Sequence, residues 1–294
     1  MKQLAIIGQT ASGKTALSIS VAKKLDAYIL SLDSLSIYKE IDIASAKPST
    51  KERAGIRHFG IDALYPNEAF DVTTYIELYN QAYMTAKSDH KNLIIIGGTS
   101  FYLKILIEGI SSLPTISADT KTTTREHLRN LQDSHDMLRD IDPEYMENIS
   151  SNDSYRIEKA LDIYIETGLA PSIYFSENPP SPVIKEQIPI YQIDMERSKL
   201  RERISLRTEM MIKDGLIDEV AYLEKQYGRT PNCMRAIGIK ETLDYLDGIF
   251  DKKMLIEKIT TNTARLAKRQ ATFNSSQFAD TIQATAQELE EIIN

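Results

Sequence analysis

The residues that most constrain the fold lie at the start of the chain, where a glycine-rich loop follows an apolar run. Gly8-Gln9-Thr10-Ala11-Ser12-Gly13-Lys14-Thr15 matches the pattern G-x-x-x-x-G-K-[ST], and Leu4-Ala5-Ile6-Ile7 precedes it. In such a loop the glycines let successive backbone N–H groups point at an anion, the lysine adds a positive charge, and the threonine can ligate Mg²⁺. Leu17, Val21 and Leu25 follow at helical spacing. The sequence therefore predicts a strand, a phosphate-binding P-loop and a helix.

Composition bounds the class of protein. The chain has 294 residues, 42% of them hydrophobic and 26% charged, which is typical of a soluble globular protein with one large or two smaller domains. The single cysteine, Cys233, excludes an internal disulfide and a cysteine-rich zinc site. No apolar run approaches the roughly 20 residues that cross a bilayer, and the first predicted strand leaves no room for a secretory signal. We expect a cytoplasmic protein with no membrane contact.

The charge is unevenly distributed along the chain. The whole chain has a net charge of −7, but residues 196–275 contain 16 lysines and arginines against 12 aspartates and glutamates. This local excess permits a basic surface that could bind nucleic acid. The alternative is that these charges lie on ordinary solvated helix faces.

Strands and helices alternate in the first part of the predicted structure. We predict strands over residues 3–8, 27–32 and 93–96, and helices over residues 14–25, 73–87 and 100–108. Continuous apolar strands of this kind are typical of a parallel sheet covered by helices on both faces. Residues 118–169 read as helices only, which indicates an insertion.

The pattern then returns to that of the first part. We predict a strand over residues 188–193 and helices over residues 197–213, 215–226, 235–247, 251–272 and 283–293. The predicted fold is α/β, a P-loop parallel sheet covered by helices, with a small all-helical insertion domain. We assign residues 1–117 and 184–294 to the core and residues 118–183 to the insertion.

Asp33 is a candidate functional residue, because it follows the second predicted strand. Ligands of open α/β sheets bind at the carboxyl ends of the strands, so Asp33 is expected near the P-loop. Three roles remain open at this point: a magnesium ligand, a general base, or a cap for the following loop.

Several further segments recur in an order that resembles the tRNA dimethylallyltransferase family of bacterial type, also called tRNA isopentenyltransferases. The resemblance extends over nearly the whole chain. After the P-loop, the segments that carry it are Asp33-Ser34-Leu35-Ser36-Ile37-Tyr38-Lys39, Asp42-Ile43-Ala44-Ser45-Ala46-Lys47-Pro48, Gly97-Gly98-Thr99-Ser100-Phe101-Tyr102, Asn152 to Leu161, Gly215-Leu216-Ile217-Asp218-Glu219-Val220, Arg235-Ala236-Ile237-Gly238 and Leu266-Ala267-Lys268-Arg269-Gln270.

The resemblance implies an activity. It implies transfer of a dimethylallyl group from dimethylallyl diphosphate to N6 of the adenine 3′ of the anticodon in tRNA, with pyrophosphate as the leaving group. The P-loop with Mg²⁺ would then stabilise the charge that grows on pyrophosphate. The adenine must leave its stack in the anticodon stem-loop to enter the site. We expect a monomer by default.

The resemblance also implies roles for individual residues. Asp33 would be the catalytic base, with Thr99 beside it, although Thr99 is equally placed to cap the next helix. The residues implied to bind the diphosphate are Gly8, Thr10, Ala11, Ser12, Gly13, Lys14, Thr15, Arg203 and Arg207, with Thr15 also on the metal. Those implied to bind tRNA are Asp33, Ser34, Leu35, Ser36, Thr99, Lys121, Tyr155, Arg156, Ile157, Glu158, Lys159, Arg235, Gly238, Lys240, Lys268, Arg269 and Gln270.

Four residues depart from the family pattern. Ile239 stands where a tyrosine is usual, and Phe273-Asn274 stands where Trp-Phe or Trp-Leu is usual. Lys121 takes the place of an arginine, which keeps the charge and loses bidentate geometry. The sequence therefore does not decide whether these residues contact tRNA.

Two alternative functions use the same residues differently. A P-loop small-molecule kinase would consume ATP and use Asp33 to activate a hydroxyl, which accounts for residues 1–110. It gives no reason for Gly97-Gly98-Thr99, for the helical insertion, or for the basic segments after residue 235. A non-catalytic RNA-binding module would need no P-loop with a carboxylate beside it.

Overall fold

A computed structural model describes residues 1–293, and its centre is one parallel sheet of six strands. The spatial order is β3-β2-β4-β1-β5-β6. The strands are β1 (Gln3–Ile7), β2 (Ala27–Ser31), β3 (His58–Phe59), β4 (Asn92–Gly97), β5 (Ile190–Ile193) and β6 (Thr281–Ala284). The predicted α/β fold with a parallel sheet is confirmed.

The three central strands are buried on both faces. Ile6, Leu30 and Ile95 all have no exposed surface, and each lies in an apolar run without alternating polar residues. A strand with this pattern can be stable only with a layer of helices on each side, because either face would otherwise expose apolar surface to water. These strands therefore form the rigid floor on which the loops at their ends are supported.

Helices cover the sheet and extend beyond it. In this unit they are α1 (Lys14–Leu25), α2 (Val72–Ser88), α3 (Ser100–Glu108), α9 (Arg197–Lys213), α10 (Leu216–Tyr227), α11 (Ile239–Leu246), α12 (Lys252–Gln277) and α13 (Ala286–Ile292), with a 3₁₀ turn at Asn232–Arg235. Within residues 1–293, every helix is too short or too polar to cross a bilayer.

Most predicted elements are confirmed to within a few residues, and the exceptions in this unit are the edges of the sheet. The edge strand β3 is only two residues long and β6 only four, so neither gives a periodic pattern. The helix predicted over residues 283–293 is present, but its predicted start is wrong: β6 occupies residues 281–284, and α13 begins only after Thr285. Thr285 and Glu288 form a capping box there, which fixes the helix start.

Residues 107–183 form a second compact unit, and residues 1–106 with 184–293 form the first. Its helices are α4 (Ala118–His127), α5 (Leu131–Ile141), α6 (Pro143–Met146), α7 (Ser154–Thr167) and α8 (Pro171–Glu177). It includes residues 107–117, which we had placed in the core. Within this unit Ile110 pairs with Ser181, and the Tyr174 hydroxyl donates to the carbonyl of Ser112. The short helix α8 was not predicted.

Strand register brings three loops to one edge of the sheet. Ile7 lies opposite Gly97 in the β1–β4 pair, and Ser31 lies opposite Ile96 in the β2–β4 pair. The P-loop after β1, Asp33 after β2 and Thr99 after β4 therefore start at the same level. This is the edge at which ligands of open α/β sheets bind.

Candidate active site

The P-loop has the backbone of an anion site. Ala11 and Gly13 have φ angles of 64° and 96°, in the left-handed region, and Gly13 directly precedes α1. Alternation of left- and right-handed residues turns backbone N–H groups toward one side, and the helix adds its positive N-terminal end. The structure thus forms the cradle that the motif predicts.

Three cations surround this cradle. The Lys14 ammonium donates to the carbonyl of Gln9 at 2.6 Å, and Arg207 Nη1 lies 3.4 Å from the hydroxyl of Thr10. Arg203 is exposed, and its Nη1 would be 3.4 Å from a Cβ at Gly13, so its guanidinium lies over that glycine. The two arginines come from α9, nearly 200 residues after the loop that they cover.

Burial changes the acidity of two of these cations. Removal from water lowers the pKa of Lys14 to about 7, with Asp33 opposing the shift and Arg207 adding to it. Burial also lowers the pKa of Arg207, again opposed by Asp33. An anion bound in the cradle would reverse both shifts, because it would neutralise the repulsion and replace the lost solvation. The unliganded P-loop site therefore favours the binding of an anion.

Asp33 is oriented by the loop that follows it. Its Oδ1 accepts hydrogen bonds from the backbone N–H groups of Leu35, at 2.8 Å, and Ser36, at 3.0 Å. Among residues 1–293, the second oxygen, Oδ2, has no hydrogen-bond partner. The side chain thus caps the loop with one oxygen, which is one of the three roles left open by the sequence, and its other oxygen is free of protein partners in this part of the chain.

Two glycines, one at the end of β4 and one just after it, lie where a Cβ would come very close to a neighbouring residue. A Cβ at Gly97 would lie 2.6 Å from Cβ of Leu32, and a Cβ at Gly98 would lie 2.4 Å from Nε2 of Gln270. The first contact lets the end of β2 lie directly against β4. The absence of a side chain at Gly98 lets Gln270 of α12 approach the loop after β4. These contacts give Gly97-Gly98-Thr99 a physical reason that the sequence did not supply.

Gln270 joins α12 to the P-loop. Its side-chain oxygen accepts the N–H of Thr10 at 2.8 Å, and the Gln9 side chain donates to the carbonyl of Ala267 on the same helix at 3.1 Å. One backbone donor of the cradle is therefore occupied by a side chain that we predicted to contact tRNA. The helix and the loop form one hydrogen-bonded assembly.

These groups line a single cavity of about 620 Å³. It brings together many of the predicted site residues: Thr10, Ala11, Gly13, Lys14, Thr15, Asp33, Ser34, Leu35, Ser36, Thr99, Arg203, Arg207, Arg235 and Gln270. Lining residues that we did not predict include the loop residues 44–48, His58 and Ile61, and the apolar side chains of Met211, Ile237, Ile259 and Leu266. The family segment at 42–48 was the available signal for the loop.

Other predicted residues of this unit do not line the cavity. Ser12 is a buried P-loop residue whose hydroxyl has no partner in the described chain, and Gly8 directly follows β1. Gly238 is buried and donates its N–H to Glu241. Lys240 pairs with Asp244 on the surface, and the last two, Lys268 and Arg269, are exposed on α12.

In the helical unit, two predicted lysines converge on one buried carboxylate. Asp162 Oδ2 accepts from Lys121 at 2.9 Å and from Lys159 at 3.4 Å, while its Oδ1 accepts from Thr124. The Asp162 side chain is only 3% exposed. The exposed edges of the two ammonium groups are thereby held close together on the surface of this unit.

The neighbouring residues of α7 differ in accessibility. Tyr155 is 69% exposed, Arg156 is exposed and pairs with Asp153, and Glu158 is half-buried. Ile157 corrects our prediction: it has no exposed surface and packs in the core of this unit, because it lies on the opposite face of the helix. Its side chain is not available to RNA.

Comparison with known proteins decides the family. Residues 36–277 match the family model described as IPP transferase, which is most of the chain. The chain belongs to this family. A tRNA dimethylallyltransferase from Sulfurovum is 64% identical over 100% of this chain and 97% of its own length. One from Helicobacter pylori is 41% identical over 99% and 93%.

Solved structures of IPP transferases agree. The full-length tRNA isopentenylpyrophosphate transferase of Bacillus halodurans has a TM-score of 0.73 and 30% identity, covering 100% of this chain and 94% of its own. A eukaryotic dimethylallyltransferase studied in action on tRNA has a TM-score of 0.85 at 24% identity, covering 99% and 75%, and shows the same fold.

The residues that depart from the IPP transferase pattern on α11 and α12 are buried or half-buried. Ile239 has no exposed surface and packs among the core residues of α10, α11 and α12. Asn274 is also buried, and its side-chain oxygen has no partner within residues 1–293. Phe273 is half-buried and packs edge-on against Phe278. Ile239 and Asn274 therefore serve packing rather than presenting a surface for RNA.

Proposed function

We propose that this chain transfers a dimethylallyl group from dimethylallyl diphosphate to N6 of the adenine 3′ of the anticodon in tRNA, with release of pyrophosphate. One observation carries the proposal. A P-loop with Lys14 and Arg207 shares a cavity with Asp33, whose Oδ2 is unpaired in the described chain. An anion site beside a carboxylate base is what displacement of a diphosphate by a weak nitrogen nucleophile requires. Family membership supports the same reaction.

The diphosphate is assigned to the P-loop end. Backbone N–H groups of residues 11–15 and the charges of Lys14, Arg203 and Arg207 would receive its oxygens. These groups are already in place in the free protein, so they stabilise the charge that develops on pyrophosphate without reorganisation. Thr10 can contribute its N–H only when Gln270 releases it.

The residues present fit a magnesium ion. Thr15 offers a hydroxyl at the start of α1 and lines the cavity. Mg²⁺ favours oxygen ligands and commonly keeps several waters, with substrate phosphates completing its shell, so one protein hydroxyl is sufficient. When bound, the ion would neutralise charge on the departing pyrophosphate.

Asp33 is assigned as the base. The N6 nitrogen forms a bond to the allylic carbon, the carbon–oxygen bond to the diphosphate breaks, and the N6 proton passes to Oδ2 of Asp33. Leu35 and Ser36 hold Oδ1 by their N–H groups, which keeps the second oxygen in a fixed direction. Thr99 lines the same cavity and is placed to orient the amino group.

Recognition of tRNA is assigned to basic and aromatic side chains. Arg235, Lys268 and Arg269 would contact phosphates near the cavity, and the helical unit would contribute Lys121, Tyr155, Arg156 and Lys159. The exposure of Arg235, Lys268, Arg269, Tyr155 and Arg156 supports this assignment, and Lys121 and Lys159 are half-buried beside Asp162. A base removed from its stack needs such contacts to hold its neighbours. We also propose that the protein acts in the cytoplasm and as a monomer.

The test is a transfer assay. Purified protein is incubated with Mg²⁺, radiolabelled dimethylallyl diphosphate and unmodified tRNA, with ATP in a parallel tube, and the tRNA is digested to nucleosides. We expect label on N6 of adenosine, and none when the adenine 3′ of the anticodon is replaced by guanine. Consumption of ATP without labelled nucleoside would instead identify a P-loop kinase.

A further inference from the structure

The loop at residues 42–48 forms a wall of the cavity, but the reaction proposed above gives it no role. Five consecutive residues, 44–48, line the cavity beside Asp33 to Ser36. Two polar side chains of the wall are held within the protein: Ser45 donates to the carbonyl of Ile41, and the Lys47 side chain is 3% exposed. The wall is therefore held in shape by its own hydrogen bonds.

One carboxylate from a distant helix holds this loop. Glu219, in the first turn of α10, accepts three consecutive backbone N–H groups: its Oε2 accepts from Asp42 at 2.9 Å and Ile43 at 2.7 Å, and its Oε1 accepts from Ala44 at 2.9 Å. Consecutive N–H groups that converge on one anion are an efficient anchor, because each bond is charge-assisted. The bonds join two sequence segments that were singled out above without a function.

The far end of the loop is anchored independently. The Lys47 ammonium donates to the carboxylates of Asp42, at 2.8 Å, and Asp62, at 2.6 Å, and to the carbonyl of Tyr38. Arg53 supports Asp62 with a further bond. Both ends of the loop are thus held by ion pairs or charge-assisted bonds.

Between these anchors the backbone is strained. Ala46 has a φ angle of 49°, in the left-handed region that residues with a Cβ seldom adopt. Its N–H donates to the carbonyl of Ile43 at 2.9 Å, which closes the turn. Strained residues persist only where their surroundings over-determine them, and they cluster at ligand sites. Here the strained residue lies in the cavity wall.

The wall belongs to a different part of the core from the P-loop. Ala44 packs with Ile37, Tyr38 and Ile41 against the buried faces of α10, α11 and α12, whereas α1 and β1, which flank the P-loop, lie in another cluster. Leu35, two residues after Asp33, packs against the same cluster as Ala44, so the loop continues the side of the cavity that follows Asp33, where the acceptor base is assigned.

We propose that Glu219 is a positioning residue that latches residues 42–47 into the conformation that forms the acceptor wall. This role rests on the proposed prenyl transfer and deepens it, because the wall fixes the base opposite Asp33. Loss of the latch releases the turn at Ala46 and lets the wall move. Binding of the anticodon stem-loop then weakens, while the P-loop keeps its own supports.

The variant Glu219→Gln tests this directly. An amide can face the three N–H groups with only one acceptor oxygen, so at least one bond is lost and a donor faces a donor. Asp218→Asn is the matched control, since it removes an exposed carboxylate from the same helical turn. Three quantities are measured: hydrogen exchange of the N–H groups of residues 42–44, the KM for tRNA and the KM for dimethylallyl diphosphate.

We expect faster exchange at residues 42–44 and a rise of about tenfold or more in the KM for tRNA, since charge-assisted hydrogen bonds are the strong ones. The KM for the diphosphate and the affinity for inorganic pyrophosphate should stay within about twofold of wild type. Asp218→Asn should resemble wild type in every measurement. A purely structural role would lower the fraction of active enzyme and leave both KM values unchanged.

Contrary results are equally clear. Unchanged exchange at residues 42–44, or a KM shift confined to the diphosphate, overturns the latch. The dissociation constant of an anticodon stem-loop is measured alongside, because it needs no turnover. If wild type transfers no label, the proposed reaction fails, and the stem-loop affinity and exchange data still decide whether Glu219 holds an RNA-binding wall.

Discussion

The P-loop and the loop at residues 42–48 are two walls of one cavity. They differ in how far along the sequence the residues that support them lie. The P-loop takes its shape from adjacent residues: Ala11 and Gly13 turn its backbone, and Lys14 bonds back to Gln9. The second wall is held by Glu219, about 175 residues away, and by the ion pair of Lys47 with Asp62. The first wall is a local motif that functions in many proteins, whereas one anchor of the second forms only when α10 has packed. Local chemistry can therefore be read from a sequence, and walls built by packing cannot.

Asp33 lies between the two walls, and its substitution should have the largest effect. Asp33→Asn keeps the size and the bonds from Leu35 and Ser36 but removes the base. We expect kcat to fall by about 10²- to 10⁴-fold, with tRNA affinity within a few-fold of wild type. Single-turnover transfer and stem-loop binding measure the two effects. A wild-type rate would show that Asp33 is not the base of the reaction.

Substitution of Gly97 tests how closely the end of β4 approaches the end of β2 beneath the cavity. Gly97→Ala places a Cβ 2.6 Å from Cβ of Leu32 and close to its backbone, so the sheet must shift. We expect the free energy of unfolding to fall by about 1–3 kcal/mol. Gly98→Ala is the matched comparison, because there the Cβ meets only the end of the flexible Gln270 side chain. Chemical denaturation should show the smaller loss for Gly98→Ala, and equal losses would contradict this account.

The pH dependence of pyrophosphate binding probes the P-loop wall alone. The pKa of Lys14 is about 7 in the free protein because burial disfavours its charge. Below pH 7 the ammonium is already charged and attracts the anion, whereas above pH 7 binding must first recruit a proton. Affinity should therefore fall by up to about tenfold between pH 6 and pH 8 beyond the pH dependence of pyrophosphate itself.

Two variants isolate the contribution of Lys14 to that profile. Titration calorimetry of Lys14→Met gives the profile without the ammonium, and Lys23→Met removes an exposed lysine from the same helix as a control. The Lys23 profile should overlay wild type and the Lys14 profile should be flatter. Parallel profiles for all three proteins would show that Lys14 does not titrate in this range.

Charges outside both walls should have the smallest effect. Lys268→Ala with Arg269→Ala should weaken stem-loop binding several-fold and reduce the slope of log K against log salt by about 1.5, as expected for two phosphate contacts. Lys252→Ala with Lys253→Ala removes two exposed charges from the other end of α12 and should change the slope little. Equal slopes for the two double variants would exclude specific contacts at Lys268 and Arg269.

Sequence reasoning performed best where the physics is local. The P-loop, the strands β1, β2 and β4, and the helix α9 (Arg197–Lys213) were predicted because apolar periodicity and glycine placement are properties of adjacent residues. Edge strands β3 and β6 escaped prediction, since such short segments carry no period. Ile157 was placed on RNA by resemblance, although its position on α7 turns it into the core.

Contacts between distant segments were beyond prediction for a different reason. Nothing near Glu219 indicates that its carboxylate faces the N–H groups of residues 42–44, because backbone donors have no sequence signature. The same holds for Gln270 and the N–H of Thr10. Family resemblance marked these segments as related, and only the packed structure showed what they do for one another.

The strand order has a consequence for synthesis. Strand β1 pairs with β4 on one side and with β5 on the other, and the whole helical unit is encoded between β4 and β5. At about 5–20 residues per second, a ribosome needs several seconds or more to make that stretch. During this time a nascent chain carries a half-built sheet with an unpaired, fully apolar edge. If the insertion folds early as its own unit, the free edge of β1 stays unpaired until β5 is made. Slower translation of the insertion should therefore increase the binding of chaperones to the nascent chain.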